Sequence, residues 1–275
     1  MARKDPIHHR TRLRLDLAFA GTGLQGWQAQ ARGTTVQGLV DAALSAVGHR
    51  GPRVVGCSRT DSGVHARAFT AHVDATFARH PEATLKGLNA NLPPQIRVYR
   101  VSVPGDSFHA RYSCSGKTYR YHLCRGAAVP PFLAPYVWAW RGALDLSAVA
   151  DAARLFLGEH DFSAFTTSDG RERNPRRTLT ECRIEERGDL LCFHVSGASF
   201  LHRMVRCIVG LLLAVGGGRV GQQEVRMALS GENPGFQIPA LPAQGLVLWE
   251  VVYPAGAEAI PFAGSLPREG LFPIS

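Results

Sequence analysis

From Cys57 to Ala66 the chain reads Cys-Ser-Arg-Thr-Asp-Ser-Gly-Val-His-Ala, which sets one carboxylate, Asp61, between a permanent cation, Arg59, and a turn at Gly63. An ordinary aspartate is ionised at neutral pH, so it can act as nucleophile, base or electrostatic stabiliser. The same side chain could instead close an Asx-turn on its own backbone near Gly63. Asp61, Ser62 and His65 are also the residue types of a hydrolytic triad, but three neighbours on one loop cannot face one another in relay. No metal site is expected, because the eleven histidines form no H-x-x-x-H pattern and the six cysteines no C-x-x-C pair.

Two other runs imitate phosphate-binding motifs. Gly21-Thr-Gly23-Leu-Gln-Gly26 follows a strand pattern and matches a dinucleotide fingerprint, yet helical periodicity begins only after Thr34, too late for the last glycine to sit inside a helix. Gly116-Lys117-Thr118 ends like a P-loop, but Arg111 stands where the earlier glycine is required.

The elements that must carry Asp61 follow from periodicity. Arg53–Cys57 is short and β-prone, and Ala68–Asp74 alternates apolar with polar, which places Asp61 on a loop between two strands. Leu13–Phe19 alternates strictly and predicts a strand. Val36, Leu39, Val40, Leu44 and Val47 predict an amphipathic helix begun near Thr34-Thr35. A second helix is expected from an N-cap at Ser147 to Gly158, and a hairpin from Thr178 to Ser196 around Gly188. Phe200–Val215 reads as a largely buried helix and Gly245–Tyr253 as a closing strand. Strands and helices thus interleave twice, before and after about Ser107, which predicts two α+β units.

Composition narrows the class. The chain has 275 residues, 45% of them hydrophobic, and a formal charge of +9 with a pI near 9.7. A basic excess dominated by arginine suits a polyanion, and Arg10/Arg12/Arg14 and Arg171/Arg173/Arg176/Arg177 are candidate phosphate contacts, each of which could equally be a solvated face. No apolar run is long enough to span a bilayer and no secretory signal is visible, so a cytoplasmic protein with reduced, largely buried thiols is expected.

Arg59-Thr60-Asp61-x-Gly63-Val64-His65 resembles the signature of the tRNA pseudouridine synthase A family. Further matches run in order: Gly26-Trp27-Gln28, Leu88-Asn89-Ala90-Asn91-Leu92-Pro93, Phe108-His109-Ala110-Arg111, Lys117-Thr118-Tyr119-Arg120-Tyr121, Phe200-Leu-His-Arg-Met-Val-Arg206-x-x-Val209-Gly210, and Gly245-Leu246. Together they cover about Leu13 to Tyr253. One position departs, Ser58 standing where the family usually has glycine. A positive φ there would strain a serine.

The resemblance implies an α+β fold of two ferredoxin-like halves whose sheets join around a central basic cleft. Residues 11–106 would form the first half and 107–253 the second, flanked by a basic tail at 1–10 and a Pro/Gly-rich tail at 254–275. It implies isomerisation of uridine to pseudouridine at positions 38–40 of the tRNA anticodon stem-loop, by a homodimer, without cofactor. By the same resemblance Asp61 is the catalytic carboxylate, Tyr119 stacks on the target uracil, and Arg206 pairs with Asp61. Arg59 is placed to fill the space left by a flipped nucleotide. Strand periodicity alone cannot choose between Tyr119 and Tyr121, which share a face. His202, read as one helical turn before Arg206 on the same face, could also line the cleft, but a satisfied core histidine is expected. The alternative function is a non-catalytic RNA-binding protein or RNA chaperone on the same fold.

Overall fold

A computed structural model describes residues 11–76, 80–126, 128–166, 174–232 and 234–254. The first strand, β1 (Thr11–Phe19), buries Leu13, Leu15 and Leu17 on one face and turns Arg12, Arg14 and Asp16 to the other, as its alternation predicts. Helix α1 (Val36–Ala46) starts where expected, because the Thr35 hydroxyl accepts the Gly38 N–H at 3.2 Å. Two-residue β2 (Val55–Gly56), β3 (His65–Ala75), α2 (Pro81–Asn91) and β4 (Ile96–Ser102) complete a first βαββαβ run.

The second run repeats it. β5 (Gly116–Arg125), the short β6 (Trp138–Trp140), α3 (Leu146–Arg154) and β7 (Gly158–Asp161) lead into the hairpin of β8 (Arg176–Arg187) and β9 (Leu190–Gly197). Buried α4 (Met204–Gly216), the short α5 (Gln222–Leu229) and β10 (Leu246–Val252) follow. One ten-stranded sheet runs β4-β1-β3-β10-β5-β9-β8-β7, with β2 on β3 and β6 on β5. Counting strands within each run, the first has the order β4-β1-β3-β2 and the second β10-β5-β9-β8. This is one ferredoxin-like order occurring twice, and it bears out the α+β reading.

How the halves join follows from a single strand edge. β3 pairs antiparallel with β1 along one side, while its other side is divided. β10 takes only His65 and Ala66, in parallel, and β2 takes Ala71 and His72. One edge cannot bond two strands at the same residues, so β10 meets β3 only at its first two positions, directly after the Asp61 loop.

Some local expectations are corrected. α3 is capped by Asp145, not Ser147: the Asp145 carboxylate accepts the Ala148 N–H at 3.0 Å, and its own N–H is tied to Gly216 O at the end of α4. The helix ends at Arg154, short of Gly158. α4 begins at Met204 instead of Phe200, since Arg203 sits in the left-handed region at φ 62°. Helices α2 and α5 and strand β4 add elements beyond those predicted from periodicity.

The first arginine cluster is also corrected. Arg12 donates to both oxygens of Asp74 at 2.7 and 3.1 Å. Arg14 is buried, bonds Asp16 at 3.0 Å and lies beneath the Phe108 and Tyr253 rings. Asp16 also accepts from Arg100 and Thr70. This network fastens the sheet and offsets most of the charge of Arg12, Arg14 and Arg100. Arg176 pairs with Glu159, while Arg10, Arg171 and Arg173 lie outside the described residues.

Candidate active site

The loop from Cys57 to Val64 is shaped by backbone bonds. Cys57 N–H donates to Thr70 O at 2.8 Å, Gly63 N–H to Leu24 O at 3.1 Å and Val64 N–H to Asp61 O at 3.2 Å. The last bond closes a tight turn with Gly63 at φ 81°, a conformation that other residues adopt only with strain. Gly26, at φ 75°, packs so closely on the loop that an added Cβ would come within 2.3 Å of Thr60 O. The glycine run at 21–26 therefore buttresses this loop. Helix α1 starts only at Val36, which removes the dinucleotide reading.

With the turn made by backbone, the Asp61 side chain is left for other partners. Arg206 Nη1 donates to Oδ2 at 2.7 Å, and His202 Nε2 lies 3.2 Å from Oδ1. Arg206 is itself fixed, its Nε donating to Leu241 O at 2.5 Å. No bond runs from the carboxylate to its own loop among the described residues, so the Asx-turn reading fails. Both anchoring side chains come from the second half, so the carboxylate is presented by one half and held by the other.

Asp61 opens onto a cavity of about 550 Å³. Arg59, Arg111, Lys117 and Arg203 line it with His202, and Asp61 is the one acid among the lining residues. None of those four cations forms an ion pair with another described residue, so their charge faces the cavity uncancelled. Arg59 is exposed at its rim.

The tyrosines separate clearly. Tyr119 lines the cavity, only 6% exposed, its ring edge-on to Phe200 at 5.0 Å and its hydroxyl 3.1 Å from Ser58 Oγ. Tyr121 is fully buried, donates to Pro242 O at 2.8 Å and is crowded by Gly245, so it is core. Burial raises the Tyr119 phenol well above its ordinary pKa, the Ser58 bond pulls the other way, and the nearby Asp61 charge adds to the rise. The phenol is neutral. Burial pushes the Cys57 thiol up to about 12, which removes it as a nucleophile.

His65 takes no part in a relay. Its Nδ1 accepts the Gly21 N–H at 3.0 Å, so Nε2 carries the proton donated to Pro135 O at 2.9 Å, and the ring bridges two loops. Ser62 donates to Leu24 O. Ser58 is unstrained, since Arg203 is the one non-glycine with positive φ among the described residues.

All four residues expected at the site, Asp61, Arg59, Tyr119 and Arg206, meet around this cavity or hold its carboxylate. Two residues outside that set also bear on the site. His202 is not a core residue: its Nε2 stands 3.2 Å from Asp61 Oδ1, from the turn just before α4. Ser58 carries a hydrogen bond into the site. A serine in a catalytic-type loop was a visible signal, but its partner sits 61 residues away.

Residues 152–254 match the family described as tRNA pseudouridine synthase. The chain is 42% identical over 248 residues to tRNA pseudouridine synthase A of Bordetella parapertussis, covering 89% of this chain and 92% of that protein. It is 36% identical to the Methylacidiphilum infernorum protein of the same name, with 90% and 97% covered. To the Ralstonia nicotianae protein it is 35% identical, with 95% and 97% covered. Among solved structures, a Cbf5-Nop10-Gar1 complex matches with a TM-score of 0.35 at 15% identity, over 78% of this chain and 48% of that one.

Proposed function

The chain belongs to the tRNA pseudouridine synthase A family, and from that premise we propose that it acts at positions 38–40 of the tRNA anticodon stem-loop with Asp61 as its catalytic carboxylate. The family fixes the activity class, an isomerase that turns tRNA uridine into pseudouridine. The reaction breaks the C1′–N1 bond, rotates the uracil and rejoins it through C5, with no net oxidation or reduction.

One observation carries the proposal: the one acid among the cavity's lining residues is hydrogen-bonded by Arg206, with His202 Nε2 3.2 Å from its other oxygen, among four cations that pair with no described residue. A carboxylate fixed in this way meets the sugar or base of an extruded uridine without rotamer search. The cations suit the flanking phosphates, which would attract tRNA by charge and shape more than by base sequence. Arg59, exposed at the rim, suits the gap that flipping leaves, its planar group able to stack on neighbouring bases. Tyr119 lies where the detached uracil would be held, its neutral phenol available for proton transfer.

We also read residues 11–106 and 107–253 as the two halves, and the working protein as a cytoplasmic homodimer. No helix among the described residues is long and apolar enough to cross a membrane. The decisive experiment incubates the protein with C5-tritiated tRNA, adding no cofactor, and counts released tritium. Wild type releases label from positions 38–40. Asp61→Ala releases none; release at the wild-type rate by Asp61→Asn would overturn Asp61 as the catalytic carboxylate, and no release by the wild type would return the protein to a non-catalytic RNA-binding role.

A further inference from the structure

Ser58 belongs to no part of the chemistry described so far, yet its hydroxyl lies inside the cavity and 3.1 Å from the Tyr119 hydroxyl. Tyr119 has no other hydrogen-bond partner among the described residues, and in so buried a place an unpaired phenol would be costly. The bond runs between halves, from the loop that carries Asp61 to the middle of β5. Ser58 precedes Asp61 by three residues on a loop clamped by backbone bonds, so it also fixes how far the phenol stands from the carboxylate.

We infer that Ser58 is a positioning residue for the isomerisation: its Oγ orients the Tyr119 phenol toward the target base and takes up the phenol's proton as the phenol oxygen receives one from C5. The inference rests on the reading that Tyr119 faces the detached uracil. The direction of the bond matters. When the phenol donates to Ser58, its oxygen lone pairs point into the cavity, the orientation a proton acceptor requires.

The step balances without redox change. After the uracil has rejoined through C5, the C5–H bond breaks, its electron pair forms the C5–C6 double bond, and the electrons of the C6–N1 double bond move to N1, which takes a proton from water. A new O–H bond forms at Tyr119, the phenol's original proton moves to Ser58 Oγ, and the serine proton leaves to water. The phenol is never ionised, which suits a group whose charged form is disfavoured by burial.

A double-mutant cycle tests this, using full-length tRNA with ordinary or C5-deuterated uridine. In Ser58→Ala, kcat falls about three- to tenfold, KM for tRNA is unchanged and the C5 deuterium effect on kcat grows. Ser58→Thr, which keeps the hydroxyl, restores kcat to within about twofold. In a Tyr119→Phe background the further change Ser58→Ala alters kcat by less than about twofold, because the partner hydroxyl is already gone. A thermal midpoint within about 2 °C of wild type shows that Ser58→Ala is folded. An equal loss in both backgrounds, a loss confined to KM, or no loss at all overturns the inference while leaving the Asp61 reading intact. If Asp61→Ala and Tyr119→Phe both keep wild-type tritium release, the site reading itself fails and this inference falls with it.

Discussion

The two halves share one strand order, yet they treat the connection between their second and third strands in opposite ways. In the second half β8 has 12 residues and turns tightly at Gly188 into β9, pairing from Leu190 through Gly197. In the first half β2 has only two residues, and the chain from Cys57 to Val64 forms an open loop before β3. Shortening β2 frees the start of β3 for β10, which joins the halves. It also leaves a loop at the junction that can carry an acid. The proposed catalytic acid on this repeated topology thus lies where one copy gives up regular pairing.

Five changes would break or sharpen that contrast. The largest effect is expected from Asp61→Ala, with C5 tritium release falling by about three orders of magnitude or more while tRNA binding, measured by filter retention, persists. Arg206→Lys comes next, since an ammonium cannot bond Leu241 O and Asp61 in the geometry of a guanidinium. A loss of about a hundredfold in kcat and about 1–3 kcal/mol in urea stability is expected, less than for a fully buried pair because both side chains keep some solvent contact.

The third change is pH, which acts on buried histidines in both halves. Burial lowers His122 to about 3 and His194 to about 4, and in the first half His72 to about 4. These rings fold neutral, so the unfolded chain binds more protons below its ordinary value near 6.5. Stability is therefore full above about pH 6.5 and declines as pH drops toward the folded values. The contribution of His122 to the slope is about 1.4 kcal/mol per pH unit at most. Urea midpoints from pH 7 to 5 should fall, and His122→Gln should flatten the fall.

Fourth, Arg59→Ala should weaken tRNA binding about tenfold and lower the salt slope by roughly one ion. Arg14→Ala, on the enclosed network, should leave the slope unchanged and lower the thermal midpoint instead. The smallest effects compare two glycines in left-handed conformations. Gly63→Ala and Gly188→Ala should each destabilise by about 1 kcal/mol, read from urea curves. Only Gly63→Ala should also reduce kcat, because only that turn aims a carboxylate.

Much of the fold could be read along the chain, because periodicity and caps report local choices. Leu13–Phe19, the Thr35-capped helix, the hairpin at Gly188 and the closing strand were all evident from residues close in sequence. Asp61 was legible as a displayed acid, and the resemblance supplied Arg206, Tyr119 and Arg59.

What the sequence determined by itself was the inventory: one acid on a glycine turn, an arginine excess, and alternating or helical stripes that define which faces must be buried. Only the tertiary structure decided how those groups were paired. Arg14 and Arg59 look alike in the chain, but one is sealed under Phe108 and Tyr253 while the other stands open at the cavity. Tyr119 and Tyr121 share a strand face, and packing made one a cavity wall and the other core. His202 meets Asp61 from the turn before α4, far from it in the chain. Each outcome depends on contacts between residues tens of positions apart, and local periodicity carries no information about which distant groups will meet.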